Sequence, residues 1–172
     1  MATLAATTIE TKATAHAGNV GNIKSTDSKS NADFSLSSTT ITEWTASRIT
    51  ITPTSTDSRI LVQYAITTHL NQLTISGGRA ARLFIYKYVG STSTQLSAIS
   101  SMRSYLESND YNDKSTWVAH IDHPNTTSAV RYSMWASNND ASVFYWHHAI
   151  AGAHDFRGIA MEVMGTPTNW RE

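Results

Sequence analysis

Histidines and tryptophans are the side chains with the most chemistry to offer in this 172-residue chain, which carries seven of the first and five of the second. His120, Asp122 and His123 form an H-x-D-H cluster. Imidazole and carboxylate are ligands that zinc favours, but a site needs three or four of them converging. On an extended chain His120 and Asp122 point to one side and His123 to the other, so this run supplies two ligands at best. His147 and His148 fall on opposite faces in the same way, and His154-Asp155 lies in a loop. His120, Asp122 and His123 are therefore weak metal candidates unless another segment or a neighbouring subunit completes the site; the expectation is no metal and no other cofactor. Acyl-transfer chemistry has no G-x-S-x-G elbow to stand on. There is no Gly-rich phosphate loop and no paired-carboxylate motif. The 13 acidic residues, mostly isolated in turns, leave few candidates for a glycosidase acid and base. No enzymatic activity is expected.

The aromatic residues carry more. Trp117, Trp135, Tyr145 and Trp146 fall on three successive strands near the C-terminus, expected to be adjacent, and Trp170 follows Thr166-Pro167-Thr168-Asn169 in a tail. An exposed face of such rings packs a subunit interface or stacks on sugar; otherwise the rings fill a core. At the other end, Leu4, Ile9, Val20 and Ile23 are thinly scattered among Ala, Thr, Ser, Asn and Lys. A segment of that composition cannot bury enough apolar area to fold alone. Residues 1–33 read as either a disordered tail or an extended N-terminal arm that orders against a neighbour; the arm is the favoured reading, with those four aliphatic residues as its interface candidates.

Strands must position these residues. Ile60, Val62, Tyr64 and Ile66 share one side of an alternating run; Leu83 and Ile85 oppose Phe84, Tyr86 and Tyr88. Val130, Tyr132 and Met134 alternate with Arg131, Ser133 and Trp135, and Ile159, Met161 and Val163 with Ala160, Glu162 and Met164. Each run fits the period of two that a pleated strand imposes. The pattern predicts strands near 35–44, 47–52, 59–69, 80–89, 95–102, 116–123, 129–137, 142–148 and 157–164. Turn residues separate them: Pro53 to Ser58, Ser76-Gly77-Gly78, Gly90-Ser91-Thr92, His123-Pro124-Asn125, Ala151-Gly152 and Ser137 to Asp140, the last read as a hairpin. Asn125-Thr126-Thr127 matches a glycosylation sequon but reads as a turn. Only 101–112 has room for a helical turn. Short strands at regular spacing imply an all-β fold, an antiparallel β-sandwich of the jelly-roll kind over residues 34–166, followed by a tail at 167–172.

Composition bounds the function classes. Charged residues make up 15%, against about 25% in ordinary domains, and Ser and Thr fill the gap at roughly a quarter of all positions, well above ordinary usage. Thr suits a half-buried pleated surface and Ser suits turns. With 13 basic and 13 acidic residues the net charge is zero, so there is no basic face for nucleic acid and little colloidal repulsion between copies. The absence of cysteine removes disulfides and thiolate metal sites. Met1 to Lys12 lacks a basic stretch followed by an apolar one, so no signal peptide is expected. No run approaches the ~18 apolar residues of a membrane helix, and no membrane partner is expected.

Three segments carry a resemblance: Ile51-Thr52-Pro53-Thr54-Ser55-Thr56-Asp57-Ser58-Arg59-Ile60-Leu61-Val62; Asp122-His123-Pro124 followed by Tyr132; and Ile159-Ala160-Met161-Glu162-Val163. Together with the opening Met1-Ala2-Thr3-Leu4 and Thr8-Ile9-Glu10, they resemble a group of small virion proteins of tailed phages, especially marine ones, of the tail-fibre or head-decoration kind. The likeness covers about residues 40–164. It departs from the group at Arg59, where Lys is usual, and in middle strands richer in Trp and His. The resemblance implies a jelly-roll subunit that forms a homotrimer, is made in the host cytoplasm and resides on the virion. Two phage roles follow as expectations. One is a capsid decoration protein whose arm binds the major capsid protein. The other is a tail-fibre tip, attached through a tail adaptor protein, whose Trp117, Trp135 and Trp146 stack on host glycans. A lectin or adhesin outside any virus is the third.

Overall fold

In the computed structural model, the residues described are 20–28, 34–36, 38–71, 77–106, 111–138, 144–147 and 156–163. They are strands and connections with no helix: β1 Val20–Ser28, β2 Phe34–Leu36, β3 Thr42–Ile51, β4 Arg59–Asn71, β5 Gly77–Val89, β6 Thr92–Leu106, β7 Tyr111–Asp122, β8 Val130–Asn138, β9 Phe144–His147 and β10 Phe156–Val163. Every pairing between them is antiparallel.

Two sheets result. In one, β4 is central. Its whole length pairs with β7 on one side; on the other it pairs with β10 over its first half and meets β9 at His69. β1 lies outside β10, and β2 outside β9. The second sheet runs β3-β8-β5-β6. The long strands thus read β1-β10-β4-β7 over β3-β8-β5-β6, an antiparallel sandwich whose order is consistent with the jelly roll expected from the sequence.

The core lies between the sheets and is built by the alternation. Ile60, Val62, Tyr64 and Ile66 of β4 meet Ile49 and Ile51 of β3, Leu83 and Ile85 of β5, and Val130, Tyr132 and Met134 of β8, all buried. Trp44 closes one end, stacked on Phe34 at 5.2 Å and edge-on to Phe156 at 4.2 Å. Gly158 lets the sheets close here, since a Cβ would sit 2.7 Å from Ile49 Cδ1 and 2.8 Å from Tyr64 Cε1. β3 is bulged between Trp44 and Ile49. Ser47 fills the bulge: its hydroxyl donates to the Trp44 carbonyl at 2.6 Å and accepts the Met134 N–H at 2.7 Å.

The structure corrects several expectations. Val20–Ser28 falls within the predicted arm and forms an edge strand paired with β10. An edge strand is held by backbone bonding to its neighbour, here β10, and tolerates the polar residues that made this stretch look unfoldable. The 101–112 stretch is strand at 101–106 and 111–112. The predicted 35–44 strand is broken: β2 and β3 lie in different sheets. The hairpin expected at Ser137 to Asp140 does not form, because β8 and β9 also belong to different sheets. The β5–β6 hairpin does form, turning through Gly90 at φ 59. Asn125, at φ 53, lies in the loop between β7 and β8. Residues 1–19 and the tail at 167–172 lie outside the described residues, and with them Leu4, Ile9 and Trp170.

Candidate functional site

The H-x-D-H cluster is split as strand geometry requires, but its inward carboxylate serves the core. Asp122, 5% exposed, reaches across from β7 to the opposite sheet. Its Oδ1 accepts from Lys87 Nζ at 2.9 Å and its Oδ2 from the Tyr132 hydroxyl at 2.8 Å. Lys87 and Tyr132 are register partners on β5 and β8, so the three side chains pin the sheets together. Burial, and next the Asp122 charge, push the Tyr132 phenol far above its ordinary pKa. His120 is half-buried and His123 exposed. Among the described residues no three His, Cys, Asp or Glu side chains converge on a point.

A second buried carboxylate explains the Pro53 to Ser58 turn. Glu162 on β10 is 0% exposed. Its Oε1 accepts from the Thr54 N–H at 2.7 Å, the Thr54 hydroxyl at 2.7 Å and the Ser58 hydroxyl at 2.5 Å. The Ser/Thr-rich turn therefore wraps one carboxylate of the last strand. A buried carboxylate is tolerable only when hydrogen-bonded in this way. Two of the three segments that carry the family resemblance are thereby in direct contact, although about a hundred residues separate them.

The inward placement of Asp122 and Glu162 decides what faces out. On β10, Gly158, Ala160 and Glu162 point into the core, leaving Ile159, Met161 and Val163 outward. On β7, Val118 and Asp122 point in, leaving Trp117, Ala119 and Ile121 outward. The register sets these in rows across the sheet, because directly opposed residues share a face. One row is Ile121–Leu61–Met161, with Ile23 of β1 the register partner of Met161. The next is Ala119–Gln63–Ile159, and the next Trp117–Ala65–Arg157. Trp117 is 67% exposed, Ile121 61% and Val163 40%. Val163 is register partner of Arg59 and of Val20.

The outer face of the other sheet is of a different kind. Its rows are Thr50–Arg131–Tyr88 and Glu43–Trp135–Phe84, with Ser133 beside Tyr86 between them. Arg48 binds both oxygens of Glu43, at 2.9 and 2.6 Å. That guanidinium, with Ser133 and Arg131 adding to it, holds Glu43 below the usual carboxylate range against the opposing effect of burial. Arg131 lies 4.2 Å over the Tyr88 ring. Trp135 packs on Tyr86 at 4.8 Å and donates from Nε1 to the Ser133 hydroxyl at 3.0 Å.

The aromatic residues singled out in the sequence are therefore not one cluster. Trp117 and Trp135 lie on opposite outer faces of the sandwich. Tyr145 and Trp146 belong to β9, Tyr145 being register partner of Ser35 and His69. Val20 and Ile23 sit on β1, as register partners of Val163 and Met161 on β10. Sequence reasoning missed Leu61, Ile121, Met161 and Val163. Their alternation was visible, but which side of β7 and β10 faces the core was not.

No protein-family model matches the chain, and no curated protein matches it. Among solved structures it is similar to particles derived from infectious bursal virus, at 11% identity and a TM-score of 0.41. It is also similar to the VP2 subviral particle of infectious bursal disease virus, at 13% identity and 0.40. Each match covers 84% of this chain, which spans only 36% and 38% of the respective viral chains. Likenesses this distant establish neither function nor assembly for the present chain.

Proposed function

We propose that this chain is a structural protein of a tailed-phage virion, a capsid decoration protein that binds the major capsid protein through its N-terminal residues and projects a trimeric β-sandwich. The observation that carries the reading is the clasp between the Pro53 to Ser58 turn and Glu162. The resemblance to phage decoration and tail-fibre proteins rests on short Ser/Thr-rich segments. The clasp gives two of them a joint physical role, because the turn needs an acid at this position of the last strand and the buried acid needs those donors. Near-zero net charge, and outer faces that carry packing rather than a cluster of reactive groups, suit a protein that works inside an assembly.

The test is deletion of residues 1–19. A cut further in, at residue 30, would remove β1 and unfold the sheet edge, so the deletion stops before Val20. The truncated chain is expected to keep its fold and oligomer mass and to lose binding to purified shells. Normal shell binding would overturn the reading. The copy number per particle separates head from tail: a decoration protein matches the shell protein in abundance, and a fibre tip does not. The alternative role as a glycan-binding tip predicts binding to host-surface glycans that is lost in Trp117→Ala.

A further inference from the structure

The geometry points to the outer face of β7, β4 and β10 as the surface through which copies of this chain associate. This deepens the assembly role proposed above by naming the face that does it, and its partner is a second copy of the same chain.

The first argument is the inverted register. Strands of a free sandwich place their large apolar residues inward and polar ones outward, because a one-residue slip would otherwise exchange the faces. β10 does the reverse with Glu162 inward and Met161 and Val163 outward, and β7 with Asp122 inward and Trp117 and Ile121 outward. Both acids are fixed inward by several hydrogen bonds, so the outward apolar rows are a settled feature of the fold. A contiguous apolar face on a soluble chain marks an interaction surface.

The second argument identifies the occupant by its chemistry. The two central rows, Ile121–Leu61–Met161 and Ala119–Gln63–Ile159, contain no ionisable side chain. Arg59 and Arg157 stand at the two ends, Arg157 as register partner of Asp27 on β1, and Asp113 of β7 lies further along opposite His69, so charges of both signs border these rows. The central rows themselves offer an acidic or basic partner no complementary charge. What fits is another sheet face whose central rows are apolar and uncharged, and each copy carries one. A rotation axis through such a face brings like residues together without like-charge repulsion, and a net charge of zero adds no long-range repulsion between whole subunits.

Light scattering on the full chain, coupled to size exclusion, tests this. The unmodified protein is expected at a multiple of its 18.9 kDa subunit mass. The double variant Trp117→Glu with Ile121→Glu is expected as a folded single subunit, its self-affinity weakened about 100-fold or more, as for removal of central interface anchors. Thr50→Glu, on the opposite outer face, leaves the oligomer intact. An unmodified protein that stays a monomer overturns the inference, as does a folded double variant that stays oligomeric. Should the double variant not fold, the missing cysteines allow a second measurement. A single thiol at Ile121→Cys should react with a maleimide about ten-fold more slowly than one at Thr50→Cys, approaching the same rate on dilution as the shielding interface dissociates. Equal rates at high concentration overturn the inference, and so does protection that dilution leaves unchanged, which would mean that the chain covers its own face. The outcome is independent of shell binding: a chain that fails to bind capsids but associates through this face refutes the decoration role alone.

Discussion

The two outer faces of the sandwich are made from the same alternating strands and solve the problem of exposure differently. On β3-β8-β5 the outward residues satisfy one another: Arg48 with Glu43, Arg131 over Tyr88, Trp135 against Tyr86 and Ser133. That face carries ion pairing and ring packing of its own. On β7 and β10 two carboxylates, Asp122 and Glu162, turn into the core among apolar neighbours, while Trp117, Ile121 and Val163 stand in solvent. The difference shows that a buried charge has effects beyond its own bonds. Fixing Glu162 and Asp122 inward obliges their strand neighbours to face out, so the internal clasp and the external apolar face are one feature of the fold.

The comparison can be broken from the inside first. Asp122→Ala leaves the Lys87 ammonium and the Tyr132 hydroxyl buried without their acceptor, and removing one partner of a buried charge pair costs about 3–5 kcal/mol. Urea unfolding should show that loss; a change below about 1 kcal/mol, the range of a surface pair, would mean that the cross-sheet link is dispensable. Glu162→Ala should cost about 2–3 kcal/mol by freeing three donors, and should speed hydrogen exchange at the Thr54 amide. Unchanged exchange there would separate the turn from the carboxylate.

Titration gives an intermediate effect. The Tyr132 and Tyr64 phenols ionise in the folded state only well above their ordinary value of 10.0, chiefly because burial penalises the phenolate. Groups with raised folded pKa values contribute stability that is full below the unfolded value and is lost as pH rises above it. Unfolding free energy should therefore hold up to about pH 10 and fall beyond it, in step with late tyrosinate absorbance. Tyrosinate appearing at pH 10 with the fold intact would contradict the burial of these rings.

The outer faces give the smallest effects on the subunit itself, and there the contrast is sharpest. Glu43→Gln should cost about 0.5 kcal/mol, since Arg48 is substantially solvent-exposed and such pairs are screened. Its lowered pKa means that the contribution is present above the unfolded carboxylate value and is lost as pH falls through the folded one, so the variant and the parent should converge in acid. Ile121→Ser should change the unfolding free energy of the isolated subunit by less than about 0.5 kcal/mol, as for most surface substitutions, while weakening the oligomer. A larger loss in the isolated subunit would mean that Ile121 belongs to the core.

Much of the fold was legible because strands announce themselves by period. Ile60 to Ile66, Leu83 to Tyr88 and Val130 to Trp135 each displayed a two-residue alternation, and the structure keeps it. β1 was not legible. Its stabilisation comes from backbone pairing along β10, and backbone bonds leave little trace in side-chain pattern. The link from Thr54 and Ser58 to Glu162 was out of reach for the same reason of distance: nothing local distinguishes a buried Glu from an exposed one.

The sequence by itself determined the all-β class and the strand periods, since each depends on neighbours a few residues apart. The tertiary structure alone decided the sign of each face. Alternation fixes that Met161 and Glu162 point opposite ways, not which of them points in. Thr54 and Ser58 supply the donors that hold Glu162 inside, and Lys87 and Tyr132 do the same for Asp122. Those partners come from other strands, so only the folded chain could turn Trp117, Ile121 and Val163 outward.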